Sequence, residues 1–172
     1  MVVFDKTGTL TQGVFELQTM EAIGIDKEEL LRYAALAESY STHPIAVSVR
    51  KAYGKKIENE AVTNVEELSG RGVQATVEGK VVLIGNHKLM EEKKIQYTRC
   101  NQIGTVLYVA INQQFVGYLV IADKIKQDAS AAITSLKKNN VKKVIMLTGD
   151  KKEVGEAIAK QLGMEEVYAE LL

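Results

Sequence analysis

Proline and cysteine occur once each in these 172 residues, aromatic side chains make up 6%, and 22 basic residues balance 22 acidic ones. Each shortage excludes something. A lone Cys100 rules out an internal disulfide, and no CxxC pair or His/Cys cluster reads as a metal site, so a reducing cytoplasm is the expected setting. The neutral balance leaves no basic surface for phosphate backbones, and no nucleic-acid partner is expected. The longest apolar runs, such as Tyr118-Leu119-Val120-Ile121-Ala122, are of strand length, far short of the roughly twenty residues that cross a bilayer. The N-terminus has no basic region followed by an apolar stretch of signal-peptide length. What remains is the composition of a soluble globular protein, 46% apolar and 26% charged, long enough for one domain or two small ones.

Along the chain the hydrophobic period changes twice. Met1 to Phe4 reads as a first strand, and Val14 to Ile23 as a weaker one. Asp26, with Glu29 three residues on, opens a helix whose apolar face is Leu30, Leu31, Ala34, Ala35 and Ala37. A second helix starts at Pro44, where a missing N–H costs nothing, and ends at Tyr53 before Gly54. Beyond Ala61 the period becomes two, with Glu78-Gly79 as a tight turn between strands. A short helix from His87 to Lys94 follows, then strands at Thr105 to Ile111 and Phe115 to Ile121 joined by Asn112 to Gln114. From Asp123 the period is helical again, followed by a strand at Val141 to Leu147, a helix at Glu153 to Leu162 and a strand at Val167 to Ala169. Alternation of that kind builds a parallel sheet, to which the opening strand belongs, with an antiparallel α+β insert from about Val14 to Ala122.

The chemistry concentrates at strand ends. Residues 5 to 11, Asp-Lys-Thr-Gly-Thr-Leu-Thr, directly follow the apolar Val-Val-Phe. Asp5 therefore sits at the C-terminal tip of a buried strand, where open α/β sheets bind ligands and where a turn rich in N–H groups holds phosphate. An ionised Asp so placed is suited to attack as a covalent nucleophile. Met146-Leu147-Thr148-Gly149-Asp150 is a second strand exit, able to bring a hydroxyl to the same edge. In the insert, Ser41-Thr42-His43-Pro44 is preceded by Glu38 and followed by Gly70-Arg71-Gly72-Val73 and Ile84-Gly85-Asn86. Taken singly, a His before Pro is an ordinary helix start, and Gly70 and Gly72 mark a strand bend.

Together these motifs resemble the heavy-metal-transporting P-type ATPases, members of the haloacid dehalogenase-like superfamily. The heptapeptide is that family's phosphorylation motif, and the insert carries its Glu, Ser-x-His-Pro, Gly-x-Gly and Gly-Asn elements in order. The resemblance implies an α/β fold in which a partial haloacid dehalogenase-like (Rossmannoid) phosphorylation domain, residues 1–13 and 123–172, carries an inserted antiparallel α+β nucleotide-binding domain, residues 14–122. It implies Asp5 as the phosphorylated residue, Lys6, Thr7, Thr148, Gly149 and Asp150 around it, and Mg²⁺ held by Asp5 and the Thr7 carbonyl. Nucleotide contacts would come from Glu38, His43, Gly70, Gly72, Val73, Gly85 and Asn86, with Asp123 at a nucleotide-facing hinge; Asp123 read by itself is a charged helix start. ATP or ADP is the implied ligand, the transported ion binds elsewhere, and actuator and transmembrane domains of the same protein are the implied partners. The region would be a cytoplasmic domain of an integral plasma-membrane protein. The wording around His43 and Asp123 and the closing Tyr168 to Leu172 resembles the zinc/cadmium/lead branch more than the copper branch.

Departures from the pattern matter too. Lys151 stands where the family usually has Asn after Thr-Gly-Asp, and the chain stops before the family's Pro-x-x-Lys and Gly-Asp-Gly-x-Asn-Asp segments, so it reads as an excised fragment expected to be inactive in turnover. A free-standing haloacid dehalogenase-like phosphatase is one alternative, although such enzymes commonly carry an acid two residues after the nucleophile, where this chain has Thr7. A nucleotide-binding module without turnover is a second, and a structural or interaction domain a third.

Overall fold

The chain divides into two units among residues 1–171, which the computed structural model describes: Met1–Val14 with the chain from Asp123 onward, and Phe15–Ala122. In order run β1 (Val2–Asp5), β2 (Thr11–Ala22), α1 (Lys27–Ala37), α2 (Pro44–Tyr53), β3 (Val62–Leu68), β4 (Gly72–Val77) and β5 (Lys80–Gly85). They are followed by α3 (His87–Glu92), β6 (Thr105–Ile111), β7 (Gln114–Ile125), α4 (Ala129–Lys138), β8 (Val144–Leu147), α5 (Lys152–Leu162) and β9 (Glu166–Tyr168).

The first unit is a three-stranded parallel sheet in the order β1-β8-β9. Its centre, β8, is the apolar run Val144-Ile145-Met146, wholly buried, as a strand flanked on both sides requires. Ile133 of α4 and Ile158 and Leu162 of α5 pack with Val144, Met146 and Leu10 into one core. Parallel pairing puts the C-terminal ends of neighbouring strands side by side: Asp5 is in register with Leu147, and Leu147 with Tyr168. Lys6 and Thr148, the next residues of the first two strands, therefore leave the sheet at one edge.

The second unit is built on a six-stranded sheet, β2-β7-β6-β5-β4-β3, in which β3 to β7 pair antiparallel. Alternate residues serve opposite faces. Val82 and Ile84 join Leu30, Ala34 and Val49 of α1 and α2, whereas Leu83 joins Leu89 and Met90 of α3 with Tyr108 and Tyr118. The helix ends follow from their caps. The Asp26 carboxylate accepts from Glu29 N–H at 2.8 Å, Pro44 occupies the first turn of α2, and Gly54 closes it with φ +65°. Glu78-Gly79 turns β4 into β5 with φ of +50° and +77°, the paired left-handed conformation of a tight hairpin.

Several boundaries differ from the sequence expectation: α3 ends at Glu92, short of Lys94, and α5 and β9 each begin one residue early. The segment from Asp123 does not start a helix: β7 runs on through Ile125, and α4 begins at Ala129. β2 starts at Thr11 although its apolar pattern is weak, because a neighbouring strand supplies the ladder that the pattern does not announce. β8 starts at Val144, three residues after Val141. The hairpin after β6 turns on Asn112 and Gln113, with φ of +48° and +67°, so Gln114 is already strand.

Candidate functional site

At the sheet edge of the first unit Asp5 ends β1 with its side chain exposed, and the loop from Lys6 to Leu10 turns back beneath it. Thr7 is extended (φ −75°, ψ 125°) and Gly8 left-handed (φ +78°), a conformation glycine adopts without strain. Three anchors hold the loop. The Lys6 carbonyl accepts from the Thr11 hydroxyl at 3.0 Å, Gly8 O from Lys126 Nζ at 2.8 Å, and Leu10 O from Lys126 N–H at 3.0 Å. Thr11 is fully buried, and its hydroxyl also lies 2.5 Å from Asp123 Oδ2, while Asp123 Oδ1 accepts from Val14 N–H at 3.1 Å. Asp123 thus buttresses the start of β2.

Lys6 does not face open solvent. Its side chain is 7% exposed, and its ammonium meets Asp150 Oδ2 at 2.6 Å, tying the loop after β1 to the loop after β8. The second loop is itself ordered. Thr148 is buried, its N–H donates to Tyr168 O at 2.9 Å, and its hydroxyl oxygen accepts from Asp150 N–H at 3.1 Å. The hydroxyl keeps its own proton for a further acceptor. Gly155 lets α5 approach closely, since a methyl there would stand 3.2 Å from Thr148 Cγ2. Gly149 is exposed beside it. The edge thus presents a carboxylate, a hydroxyl and a turn containing Gly8, braced from below by an ion pair.

The oxygen donors at this edge suit Mg²⁺. No group of three His, Cys, Asp or Glu gathers among the described residues. Mg²⁺ commonly needs only one or two carboxylates, completing its shell with water and substrate phosphate. The exposed Asp5 carboxylate and the main-chain carbonyl of Thr7 are a donor set of that kind.

The second unit contains a cleft of about 410 Å³ lined by Glu38, His43, Glu67, Gly70, Arg71, Gly72, Val73, Gly85 and Asn86, with Ile45, Ala46 and Leu107 among its apolar walls. His43 is the N-cap of α2: its Nδ1 accepts from Ile45 N–H at 3.2 Å, which fixes the ring and leaves the proton of the neutral imidazole on Nε2. Glu38 caps the C-terminus of α1 and is 6% exposed. Burial pushes its carboxyl up to about 7, with Glu67 adding to the rise and Arg50 and Ser41 opposing it. Arg50 donates to two main-chain carbonyls, those of Glu38 and of Ser41, the latter at 2.7 Å.

The two glycine motifs form one structure. Gly72 and Gly85 are register partners across β4 and β5. A methyl on Gly72, whose φ is +147°, would stand 2.1 Å from Ile84 O, and one on Gly85 would stand 2.1 Å from Arg71 O. Asn86 completes the joint: its N–H donates to Arg71 O at 2.8 Å, its side-chain amide to Gly70 O at 2.8 Å, and its side-chain oxygen caps α3. Only Gly70, with φ +68° and open space around it, borders the cleft without such a constraint. Asp123 is not among the cleft residues. Glu67, Arg71 and the supporting Arg50 were missed by sequence reasoning; Arg71, lodged between two glycines, was the one with a visible signal. Arg71 also pairs with Glu92.

Similarity to known proteins extends along the whole chain. The profile of the haloacid dehalogenase-like hydrolases matches residues 1–172. The chain is 51% identical over 171 residues to the cadmium, zinc and cobalt-transporting ATPase of Bacillus subtilis (strain 168), covering 99% of this chain and 24% of that protein. It is 46% identical over 172 residues to the zinc-transporting ATPase of Synechocystis sp., covering 99% and 24%. A crystal structure of a zinc-transporting PIB-type ATPase in its E2.Pi state superposes with a TM-score of 0.84 at 32% identity, covering all of this chain and 29% of that one. The chain thus spans about a quarter of the length of the curated relatives it matches.

Proposed function

Because the chain belongs to the haloacid dehalogenase-like hydrolase family and aligns along 99% of its length with heavy-metal-transporting P-type ATPases, we propose that it is the ATP-binding and phosphorylation region of such a transporter. The observation that carries the reading is the parallel register of β1 and β8, which brings Asp5 and Thr148 to one edge with the Asp5 carboxylate exposed. In this reading residues 14–122 bind the nucleotide, and residues 1–13 with 123–172 receive its phosphate.

An Asp5 carboxylate oxygen attacks the γ-phosphorus of ATP in line, the new O–P bond forms as the bond to the bridging oxygen breaks, and ADP leaves. There is little covalent work for the protein beyond this, so positioning and charge neutralisation dominate. Thr148 donates a hydrogen bond from its hydroxyl to a phosphoryl oxygen, while the Gly8 N–H stays within its own turn, donating to the Thr11 hydroxyl oxygen at 3.4 Å. Lys6, held by Asp150, acts through that partner: it keeps the two loops at a fixed spacing. Asp5 and the Thr7 carbonyl would hold Mg²⁺, which when bound would neutralise phosphate charge. The absence of an acid at position 7 favours a phosphorylated intermediate that persists over a simple phosphatase. In the cleft His43 presents its ring to adenine and Glu38 meets the base edge.

The acyl phosphate then drives ion movement by membrane helices elsewhere in the full protein, of which this region is a cytoplasmic part. The names of the relatives favour zinc and cadmium over copper as cargo. The test is incubation of the full-length protein with γ-labelled ATP, followed by acid quench and peptide mapping. Acid-stable label on Asp5, lost in Asp5→Asn, is the expected result, and label that survives this substitution refutes the assignment.

A further inference from the structure

Glu38 is placed where a carboxylate is poorly tolerated. It caps the C-terminus of α1, where the helix dipole already concentrates negative charge, and no basic residue occupies that last turn. Its residue surface is 6% exposed, and a second carboxylate, Glu67, borders the same cleft from β3. The nearby cations are otherwise engaged: Arg50 of α2 donates to the carbonyls of Glu38 and Ser41, and Arg71 pairs with Glu92. No ion pair to Glu38 forms among the described residues; the attraction of Arg50 and a hydrogen bond from the Ser41 side chain favour the ionised form but do not offset the burial. His43, the remaining titratable group of the cleft, accepts from Ile45 N–H through Nδ1.

We propose that Glu38 reads the nucleobase as a neutral carboxylic acid, donating its O–H to N1 of adenine and accepting from the 6-amino group through its C=O, so that its proton selects adenine over guanine. The inference rests on the reading of this cleft as a nucleotide site and deepens it. Adenine offers one acceptor and one donor along that edge, which a carboxylic acid matches atom for atom. Guanine offers two donors, N1–H and the 2-amino group, which suit an ionised carboxylate. A mismatched pairing leaves a buried polar group without a partner, the commonest source of strong discrimination between similar ligands. Burial holds this carboxyl at about 7, which places the change within the physiological range.

The experiment is calorimetric titration of the chain with ADP and with GDP from pH 5.5 to 8.5. The ratio of the two affinities cancels phosphate ionisation and any contribution of His43 that both ligands share. The ratio should favour ADP at low pH and fall by about tenfold per pH unit through the midpoint, since ADP takes the protonated carboxyl and GDP the ionised one, the linkage expected for one proton. Glu38→Gln, which retains one donor and one acceptor in the same shape, should bind ADP in preference to GDP at every pH. A wild-type ratio that does not change with pH overturns the proposal, as does a pH-dependent ratio that persists in Glu38→Gln. Binding of neither nucleotide at any pH overturns the nucleotide reading itself, and the proposal with it.

Discussion

Burying Glu38 should make the second unit less stable in alkali, and Glu38→Gln should reverse the loss. In the folded chain the carboxyl titrates at about 7 against 4.5 for the free group, with burial the largest cause and the attraction of Arg50 too small to offset it. Between those values the folded state holds a proton that the unfolded state has released, so stability falls as pH rises. The contribution is fully present below about pH 4.5 and lost on passing pH 7. At about 1.4 kcal/mol per pH unit, the whole span amounts to about 3 kcal/mol, a large part of the stability of a domain of this size. The amide of Gln has the same shape and no charge to desolvate, so the variant should match the wild type near pH 5 and exceed it by about 2 to 3 kcal/mol at pH 8. Urea titrations followed by tyrosine emission measure this directly. The chain has no tryptophan, and Tyr33, Tyr40, Tyr53, Tyr97, Tyr108 and Tyr118, all but one of its seven tyrosines, lie in the unit concerned. A difference between variant and wild type that is the same at pH 5 and pH 8 refutes the argument, and so does a Gln variant that is weaker at pH 8.

Three further outcomes follow from the contacts. Gly72→Ala and Gly85→Ala each drive a methyl to 2.1 Å from a backbone oxygen that no rotamer change can relieve; each should cost about 3 kcal/mol or more in urea titrations. Gly70→Ala, strained only by its φ of +68°, should cost about 1 kcal/mol, and equal losses at the three positions contradict the close approach of β4 and β5. Asp150→Ala leaves the Lys6 ammonium, 7% exposed, without its partner. It should destabilise the first unit by about 2 kcal/mol, below the figure for a fully buried pair because Asp150 is partly solvated, with Asp150→Asn milder; circular dichroism melts compare the two. His43→Ala should weaken ADP binding by about 1 to 2 kcal/mol, the scale of one aromatic contact, and an unchanged affinity in calorimetry removes the ring from the site.

Much of this protein is legible in local order along the chain. Asp26 and Pro44 announce the starts of α1 and α2, and Gly54 the end of α2, because caps are satisfied by neighbours in sequence. The unbroken Val-Ile-Met of β8 announces a strand covered on both faces, and the α/β alternation around it a parallel sheet. The Asp-Lys-Thr-Gly-Thr-Leu-Thr heptapeptide locates a carboxylate at a strand tip, and a tip in a parallel sheet is an exposed edge wherever the rest of the chain goes.

What local order does not contain is the identity of partners far along the chain. Lys6 meets Asp150 across 144 positions, and Thr11 meets Asp123 across 112, so neither lysine nor aspartate could be assigned its work from its neighbours. Asp123 looks like a helix start because acids favour that place, yet the ladder of β7 claims it first. Gly72 and Gly85 read as two separate motifs until pairing of β4 with β5 shows each making room for the other's backbone. Glu38 carries no mark of its unusual acidity, since desolvation depends on everything packed around a group and not on its own residue type. Sequence by itself determined which groups this protein presents and at which strand ends; tertiary structure alone decided which are braced, which are buried and in what charge state, because pairing and dielectric are properties of the folded neighbourhood.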